Sequence, residues 1–262
     1  ERVAFYGGTT GWHRQDTVAA HWTQIASANW LATAQWVASR IPDAVLVDIG
    51  STTTDLIPIL DGKIIASGAD DAGRLKFGEL VYHGVVRTPL CALAQRIRFR
   101  GEHYNVMNEC FATTADVYRL TGLLKPQHDQ YPAADGGNKD HMATCQRLAR
   151  MIGHDARDAS VAEWHHFAQQ WRNAQQAHLS ANLARVLGRI GLAHSVVLVA
   201  AGCGAFLVDE LAAPFGRDVV QFETLLDIDI DLSSAAAGWS RVCAPSVAVG
   251  MLLAETLDMA FA

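Results

Sequence analysis

The strongest pattern in the chain is the unbroken apolar run Ala44-Val45-Leu46-Val47, which passes through Asp48 and Ile49 to Gly50. A short apolar run with no polar alternation predicts a strand buried on both faces. It breaks at Ser51-Thr52-Thr53-Thr54-Asp55 and resumes as Leu56-Ile57-Pro58-Ile59-Leu60, so two strands flank a hydroxyl-rich bend. Asp61-Gly62, ahead of Lys63-Ile64-Ile65-Ala66, predicts a tight hairpin, because both turn residues must take positive φ and this pair tolerates it. A second buried strand is predicted over 195–200, breaking into Ala201-Gly202-Cys203-Gly204 before a helical stretch over 205–211.

Between His21 and Arg40, Ile25, Ala28, Trp30, Leu31, Ala34, Trp36 and Val37 recur near the helical period, and Pro42 closes the run. The first forty residues therefore read as a loop followed by one long helix. Residues 78–100 read as a loop through Val85-Val86-Arg87-Thr88-Pro89 leading into a helix through Ala92, Leu93, Ala94 and Ile97. Further helices are predicted over 108–124, 142–152, 160–187 and 245–257, with an exposed Pro, Gly, Asp and Asn-rich loop over 126–139. A strand is predicted over 219–222, and Asp227, Asp229 and Asp231 alternate with Ile228, Ile230 and Leu232, which reads as a solvated edge strand. Strands alternating with helices around one hairpin indicate an α/β fold with a mixed sheet.

Composition narrows the function classes. Half of the 262 residues are apolar and 18% are charged, enough for a large core. A formal charge of −6 leaves no cationic surface for a phosphate backbone, which argues against a nucleic-acid binder. No apolar run reaches the roughly 18 residues that span a bilayer, so no membrane partner is expected. Five scattered cysteines without a C-x-x-C pair fit a reducing, cytoplasmic setting. The chain opens at Glu1 without a methionine and enters Val3-Ala4-Phe5-Tyr6 at once, which reads as a chain lacking an N-terminal part.

The two strand-end turns carry the candidate chemistry. After a strand that delivers Asp48, the backbone N–H groups and hydroxyls of Gly50, Ser51, Thr52, Thr53 and Thr54 are placed to converge on phosphate oxygens. Asp48 at the strand end is placed to position a magnesium ion through water, and Gly50 permits a close backbone approach. Gly202 and Gly204 form a second turn at a strand end, where open α/β sheets hold ligands. Both turns are expected to face one cavity. Tryptophans 22, 30 and 36 read as core rather than ring-stacking residues, and His165-His166 reads as structural, because neighbours on a helix diverge.

The stretch Asp48-Ile49-Gly50-Ser51-Thr52-Thr53-Thr54-Asp55 resembles a phosphate loop of the superfamily of actin, sugar kinases, Hsp70 and hydantoinase/oxoprolinase proteins, and Ala201-Gly202-Cys203-Gly204 resembles its adenosine-side glycine turn. Within it, Ala26-Ser27-Ala28-Asn29-Trp30, Gly78-Glu79-Leu80-Val81-Tyr82, Val85-Val86-Arg87-Thr88-Pro89, Val106-Met107-Asn108-Glu109, Phe111-Ala112-Thr113-Thr114-Ala115-Asp116-Val117-Tyr118 and Ala134-Asp135-Gly136 resemble proteins of the tetrahydromethanopterin-linked C1-transfer pathway.

The resemblance implies an actin-like, RNase H-like fold, with 1–44 the remainder of a first lobe and its linking helix. Residues 45–262 would form the second lobe, with a helical insertion over about 78–190. The family's first loop, of the Asp-Ile-Gly-Gly type, has no counterpart here, so the first lobe is expected to be incomplete.

The implied activity is a transferase of methanofuran-type cofactor biosynthesis. It would condense an (aminomethyl)furan-methyl diphosphate with tyramine or γ-glutamyl-tyramine, using Mg2+ without a need for ATP. Ser51, Thr52 and Thr53 would hold the diphosphate, Asp48 and Asp116 the metal, and Arg87 and Lys139 would supply positive charge. Glu79, Glu109 and Asp55 stay open as the base for the phenol. The alternatives are an ATP-dependent kinase, a hydantoinase/oxoprolinase-type hydrolase, or a non-catalytic phosphate-binding subunit. The partners expected are small molecules, and a homo-oligomer is left open.

Overall fold

In a computed structural model, which describes residues 3–26, 28–68, 70–190, 195–226 and 234–261, the chain begins with a hairpin of β1 (Ala4–Tyr6) and β2 (Trp12–Arg14). Two helices follow, α1 (Trp22–Ala26) and α2 (Asn29–Ala38), in place of the single long helix expected. Only the second has a packing face: α1 buries no residue, whereas α2 buries Ala32, Thr33, Ala34, Trp36 and Val37. Helix stability in proteins comes mostly from such a face, so the periodicity persists only where it is covered.

The predicted strand and hairpins form β3 (Ala44–Ile49), β4 (Thr54–Leu60) and β5 (Lys63–Ile64), with Asp61 and Gly62 both at positive φ as that tight turn requires. α3 (Asp71–Phe77) is capped by Asp70 and stopped by Gly78 in the left-handed conformation, and β6 (Leu80–Val81) returns to pair with β4.

The helix expected near 92–97 is instead a hairpin of β7 (Arg96–Phe99) and β8 (Glu102–Asn105). Its signal is a period of two, with Ile97 and Phe99 buried between exposed Arg96 and Arg98, and the turn uses Arg100 and Gly101 at positive φ.

α4 (Thr114–Leu120) is shorter than expected, because a capping box between Thr113 and Asp116 starts it. α5 (His141–Arg150) and the long α6 (Val161–Ile190) follow, then β9 (Val197–Ala201), α7 (Val208–Ala212), β10 (Val219–Gln221), α8 (Ala235–Val242) and α9 (Ala244–Phe261). The alternating Asp227 to Leu232 segment lies outside the described residues. Among the described residues no single helix is long and apolar enough to cross a membrane, and α8 and α9 meet at a 94° bend.

The main sheet has six strands in the order β10-β9-β3-β4-β5, with β6 also on β4. β10 and β9 run parallel to one another and β9 runs parallel to β3, while β4 is antiparallel to β3. Both faces are covered, which is why β3 reads as one apolar run. Val45, Val47, Ile49, Leu56, Leu198 and Ala200 face the larger core under α4, α5 and α6. Ala44, Leu46, Ile57, Ile59, Val199 and Ala201 face a second core with α2 and α9. The covered sheet thus leaves its strand ends as the place where chain chemistry meets solvent.

Candidate functional site

The site is built at the ends of β3 and β9. Register pairs Asp48 with Asp55 on one side and with Ala201 on the other, so the hydroxyl-rich bend and the glycine turn emerge next to each other. The Gly204 N–H donates to the Ile49 carbonyl at 2.8 Å. Gly202 has φ +83°, and a Cβ on Gly204 would fall 2.4 Å from Ile49 Cγ2, so the close approach needs glycine at both positions.

The bend is closed by the Gly50 N–H on the Thr53 carbonyl at 2.8 Å. Two more of its carbonyls are spent on the segment after β6: Gly50 O accepts from Val85 N, and Ser51 O accepts from both Val86 N and Arg87 N. Gly84 packs against it so tightly that a Cβ would lie 2.4 Å from Thr52 N.

The N–H groups of Ser51, Thr52 and Thr53, by contrast, donate to no acceptor among the described residues. Ser51 and Thr52 carry hydroxyls 3.4 Å apart, and the whole bend from Gly50 to Thr53 is half-exposed. The bend thus carries three successive unspent N–H donors and the three hydroxyls of Ser51, Thr52 and Thr53. The Thr54 hydroxyl, expected to join them, is buried and donates to the His83 carbonyl at 2.7 Å.

No hydrogen bond or ion pair reaches the Asp48 carboxylate among the described residues. Burial and the facing Asp55 together push its pKa up to about 8. Asp55 is held up by burial despite its ion pair with the buried Arg74, which also lies 3.5 Å from Asp71 and stacks over the Trp30 ring at 4.2 Å. Burial, followed by Asp48, raises the Cys203 thiol to about 12, so it stays protonated. Trp36 is core as expected, whereas Trp22 is exposed and Trp30 borders a cavity.

The two turns touch but do not open on one cavity as expected. Thr53 and Asp55 line a space of about 170 Å³ with Trp30, Asp71 and Arg74. Gly202 and Cys203 line another of about 180 Å³ with Lys125, His128, Asp209 and Arg241. The reason is the direct seat of Gly204 on Ile49, which fills the space between them.

Other residues singled out by the sequence lie elsewhere. Asp116 is buried and its carboxylate is fully used: Oδ1 accepts from Arg119 and Arg147, each at 2.8 Å, and Oδ2 accepts from the Thr113 N–H. It therefore does not offer itself to a metal. Glu79 is fully buried and accepts from Ser67 N, Gly68 N and Arg189, which ties it into the fold rather than into proton transfer. Lys139 donates to the Asp129 carbonyl and carboxylate. Arg87 is exposed, with its guanidinium 4.8 Å from the Tyr131 ring centroid, and Glu109 is exposed. Among the described residues no three His, Cys, Asp or Glu side chains cluster as a metal cage. Sequence reasoning missed Arg74, since nothing local distinguishes it from any helix arginine.

The hydantoinase/oxoprolinase family model matches residues 3–228. The chain is 31% identical over 239 residues to the (4-{4-[2-(gamma-L-glutamylamino)ethyl]phenoxymethyl}furan-2-yl)methanamine synthase of Methanocaldococcus jannaschii, covering 91% of this chain and 68% of that one. It is 28% identical over 230 residues to the synthase of the same name from Methanococcus vannielii, covering 86% and 97%. Among solved structures, nucleotide-free acetone carboxylase is similar with a TM-score of 0.51 at 17% identity, a likeness of fold alone. That match covers 83% of this chain, which spans 32% of the carboxylase chain.

Proposed function

Since the chain belongs to the hydantoinase/oxoprolinase family, we propose that it is a transferase joining a furan-methyl carbon to a phenol oxygen. The relatives' name describes such a product, a phenoxymethyl ether between a furan-2-yl methanamine and a phenol that carries a γ-glutamylaminoethyl arm. The electrophile is an (aminomethyl)furan-methyl diphosphate and the acceptor is tyramine or its γ-glutamyl derivative. The bond from the methylene carbon to the diphosphate oxygen breaks with its electron pair on the diphosphate. The phenol oxygen forms the new bond, and its proton passes to the departing diphosphate. ATP is not required, because the diphosphate is already an activated leaving group. We read the sheet as an actin-like, RNase H-like lobe over 45–262, with residues 78–190 inserted and 1–44 associated with a first lobe.

One observation carries this reading: the three unspent N–H groups and three hydroxyls of Ser51 to Thr53. The furan ring supports positive charge on its exocyclic carbon, so negative charge gathers on the departing diphosphate. Donors that the fold already holds in place need little reorganisation as that charge develops. A magnesium ion fits Asp48, a carboxylate without a partner whose ionisation is held back until a cation arrives, and does not fit Asp116. One free carboxylate suits a hard cation that keeps most of its own water. Such an ion would supply further neutralisation of the diphosphate. Arg87, anchored to the bend by its backbone N–H, adds a positive charge from the exposed side.

The test is incubation of the protein with the furan diphosphate, tyramine or γ-glutamyl-tyramine, and Mg2+, without ATP. The expected result is the ether by mass spectrometry with one diphosphate released per ether. A Ser51→Ala, Thr52→Ala double variant should lose about 100-fold in kcat/KM. Ether formation only when ATP is added would favour a nucleotide-dependent activity, and no ether with either phenol would refute the transferase.

A further inference from the structure

The cavity of about 170 Å³ that Thr53 and Asp55 line has no part in the reaction scheme above. Its wall combines the aromatic residues Trp30 and Tyr82 with the charged residues Asp55, Asp71 and Arg74. We infer that this cavity recognises the aminomethylfuran end of the electrophile, with the ring against Trp30 and Tyr82 and its ammonium group on Asp71. The inference rests on the bend being the diphosphate site.

One methylene joins the furan ring to its diphosphate, so the two must be bound side by side. Thr53 belongs to both places: it carries one of the bend's unspent N–H groups, and it lines the cavity. Side chains alternate between the faces of a strand, so Asp55 shares the sheet face of Ile57 and Ile59, which packs on the core that holds α2. Trp30 of α2 closes the cavity at the end of that face. Asp48, paired with Asp55 across the two strands, follows Ala44 and Leu46 onto the same face. The carboxylate proposed for magnesium and the cavity therefore lie on one side of the sheet, with the bend between the two strands.

Charge and volume select the ligand. Two carboxylates face one guanidinium here: Arg74 forms its buried ion pair with Asp55 and reaches Asp71 only at 3.5 Å. The Asp71 side chain stays 70% exposed, and its Oδ2 has no partner among the described residues. A single positive charge is the missing complement, and an alkylammonium keeps that charge at neutral pH as a lysine does. Arg74 is 2% exposed, yet its Nε–H meets no acceptor among the described residues, and an oxygen of a ligand on this wall would satisfy it. In the furan-2-yl methanamine part of the relatives' product, the ring oxygen is bonded to the carbon that bears the aminomethyl arm. Cation and acceptor therefore share one edge of the ring. A cavity of about 150 Å³ takes a benzene ring, so one of about 170 Å³ takes a furan with its short arm.

The experiment is calorimetric titration of the full chain in Mg2+ buffer. Inorganic diphosphate reports the bend alone. A second probe is 2-[5-(aminomethyl)furan-2-yl]ethylphosphonyl phosphate, a carbon-linked analogue that cannot expel its diphosphate. The last is the same analogue with an ethyl group in place of the aminomethyl. Wild type should bind the aminomethyl analogue about tenfold more tightly than the ethyl analogue. Asp71→Asn should reduce that preference to about twofold or less, and leave the ethyl analogue and inorganic diphosphate unchanged. Tyr82→Ala should weaken both furan analogues several-fold, whereas Tyr82→Phe retains them and neither change alters inorganic diphosphate.

Equal affinity of wild type for the two furan analogues, or a preference untouched by Asp71→Asn, overturns the ammonium site. Furan analogues indifferent to Tyr82→Ala overturn the placement of the ring. Inorganic diphosphate that fails to bind, or binds the Ser51→Ala, Thr52→Ala variant as it binds wild type, would refute the bend. An aminomethyl preference still lost in Asp71→Asn would then leave the ammonium site standing.

Discussion

Gly202 stands against Asp48 with no room for a side chain: a Cβ on it would lie 2.5 Å from Asp48 Oδ1 and 2.2 Å from the Ile49 carbonyl oxygen. The glycine is what lets β9 end beside the acidic end of β3. Gly202→Ala therefore adds left-handed strain to a backbone collision and should cost about 2–4 kcal/mol in chemical denaturation. The same variant should lose diphosphate affinity, because the bend is displaced with Ile49.

Asp48→Asn should move stability and activity in opposite directions. The wild-type carboxylate faces Asp55 with no cation on it, so its neutral isostere should raise the melting temperature in chelator-treated buffer. Turnover and Mg2+ dependence should fall together. A variant that lost stability while keeping its Mg2+ response would remove Asp48 from the metal's neighbourhood.

Arg74 supplies the positive charge for the acidic end of the sheet through its buried pair with Asp55. Arg74→Met leaves two carboxylates facing each other without compensation and should destabilise by about 3–5 kcal/mol. Adding Asp55→Leu should recover most of that loss in urea unfolding, since the penalty lies in the abandoned charge rather than in the missing contact.

Asp116 gives a different signature from Asp48. Asp116→Asn weakens the contacts to Arg119 and Arg147 and should cost about 2–4 kcal/mol, because both arginines lose the charge between them. Its Mg2+ concentration dependence should match wild type, and a shifted dependence would restore a role as metal ligand.

His83 makes stability depend on pH. It is buried, and desolvation, followed by the neighbouring His178, lowers its pKa from 6.5 to about 4. Between those values the unfolded chain binds the proton and the folded one does not. The contribution is therefore full above about pH 6.5 and is lost as pH falls towards 4, amounting to about 3 kcal/mol. His83→Gln should flatten that part of the urea stability profile from pH 7.5 to 4.5, and an unchanged slope would disprove the assignment.

Much of the frame was legible along the chain. The run at 44–49, the Asp61-Gly62 turn and the long helix after Ser160 appear where their patterns put them, and the strand expected over 195–200 forms over 197–201. The hairpin at 96–105 was also written in its alternation, but Ala92, Leu93 and Ala94 drew the reading towards a helix. The bend was visible as a row of hydroxyl residues, though not which of them point outward: Thr54 differs from Ser51 and Thr52 only because the His83 carbonyl lies within its reach.

Strand and turn identities follow from neighbouring residues, since burial period and φ preference act over a few positions, and so the apolar frame and the hydroxyl-rich bend could be recognised before any coordinates. The fate of each charge could not. Glu79 meets Arg189, Asp116 meets Arg147, and Asp55 meets Arg74 only once the chain has folded. A carboxylate becomes a structural tie, or stays unsatisfied like Asp48, according to whether a cation from a distant segment arrives within hydrogen-bond range. Coulomb energy and desolvation depend on that separation in space, which no local pattern encodes.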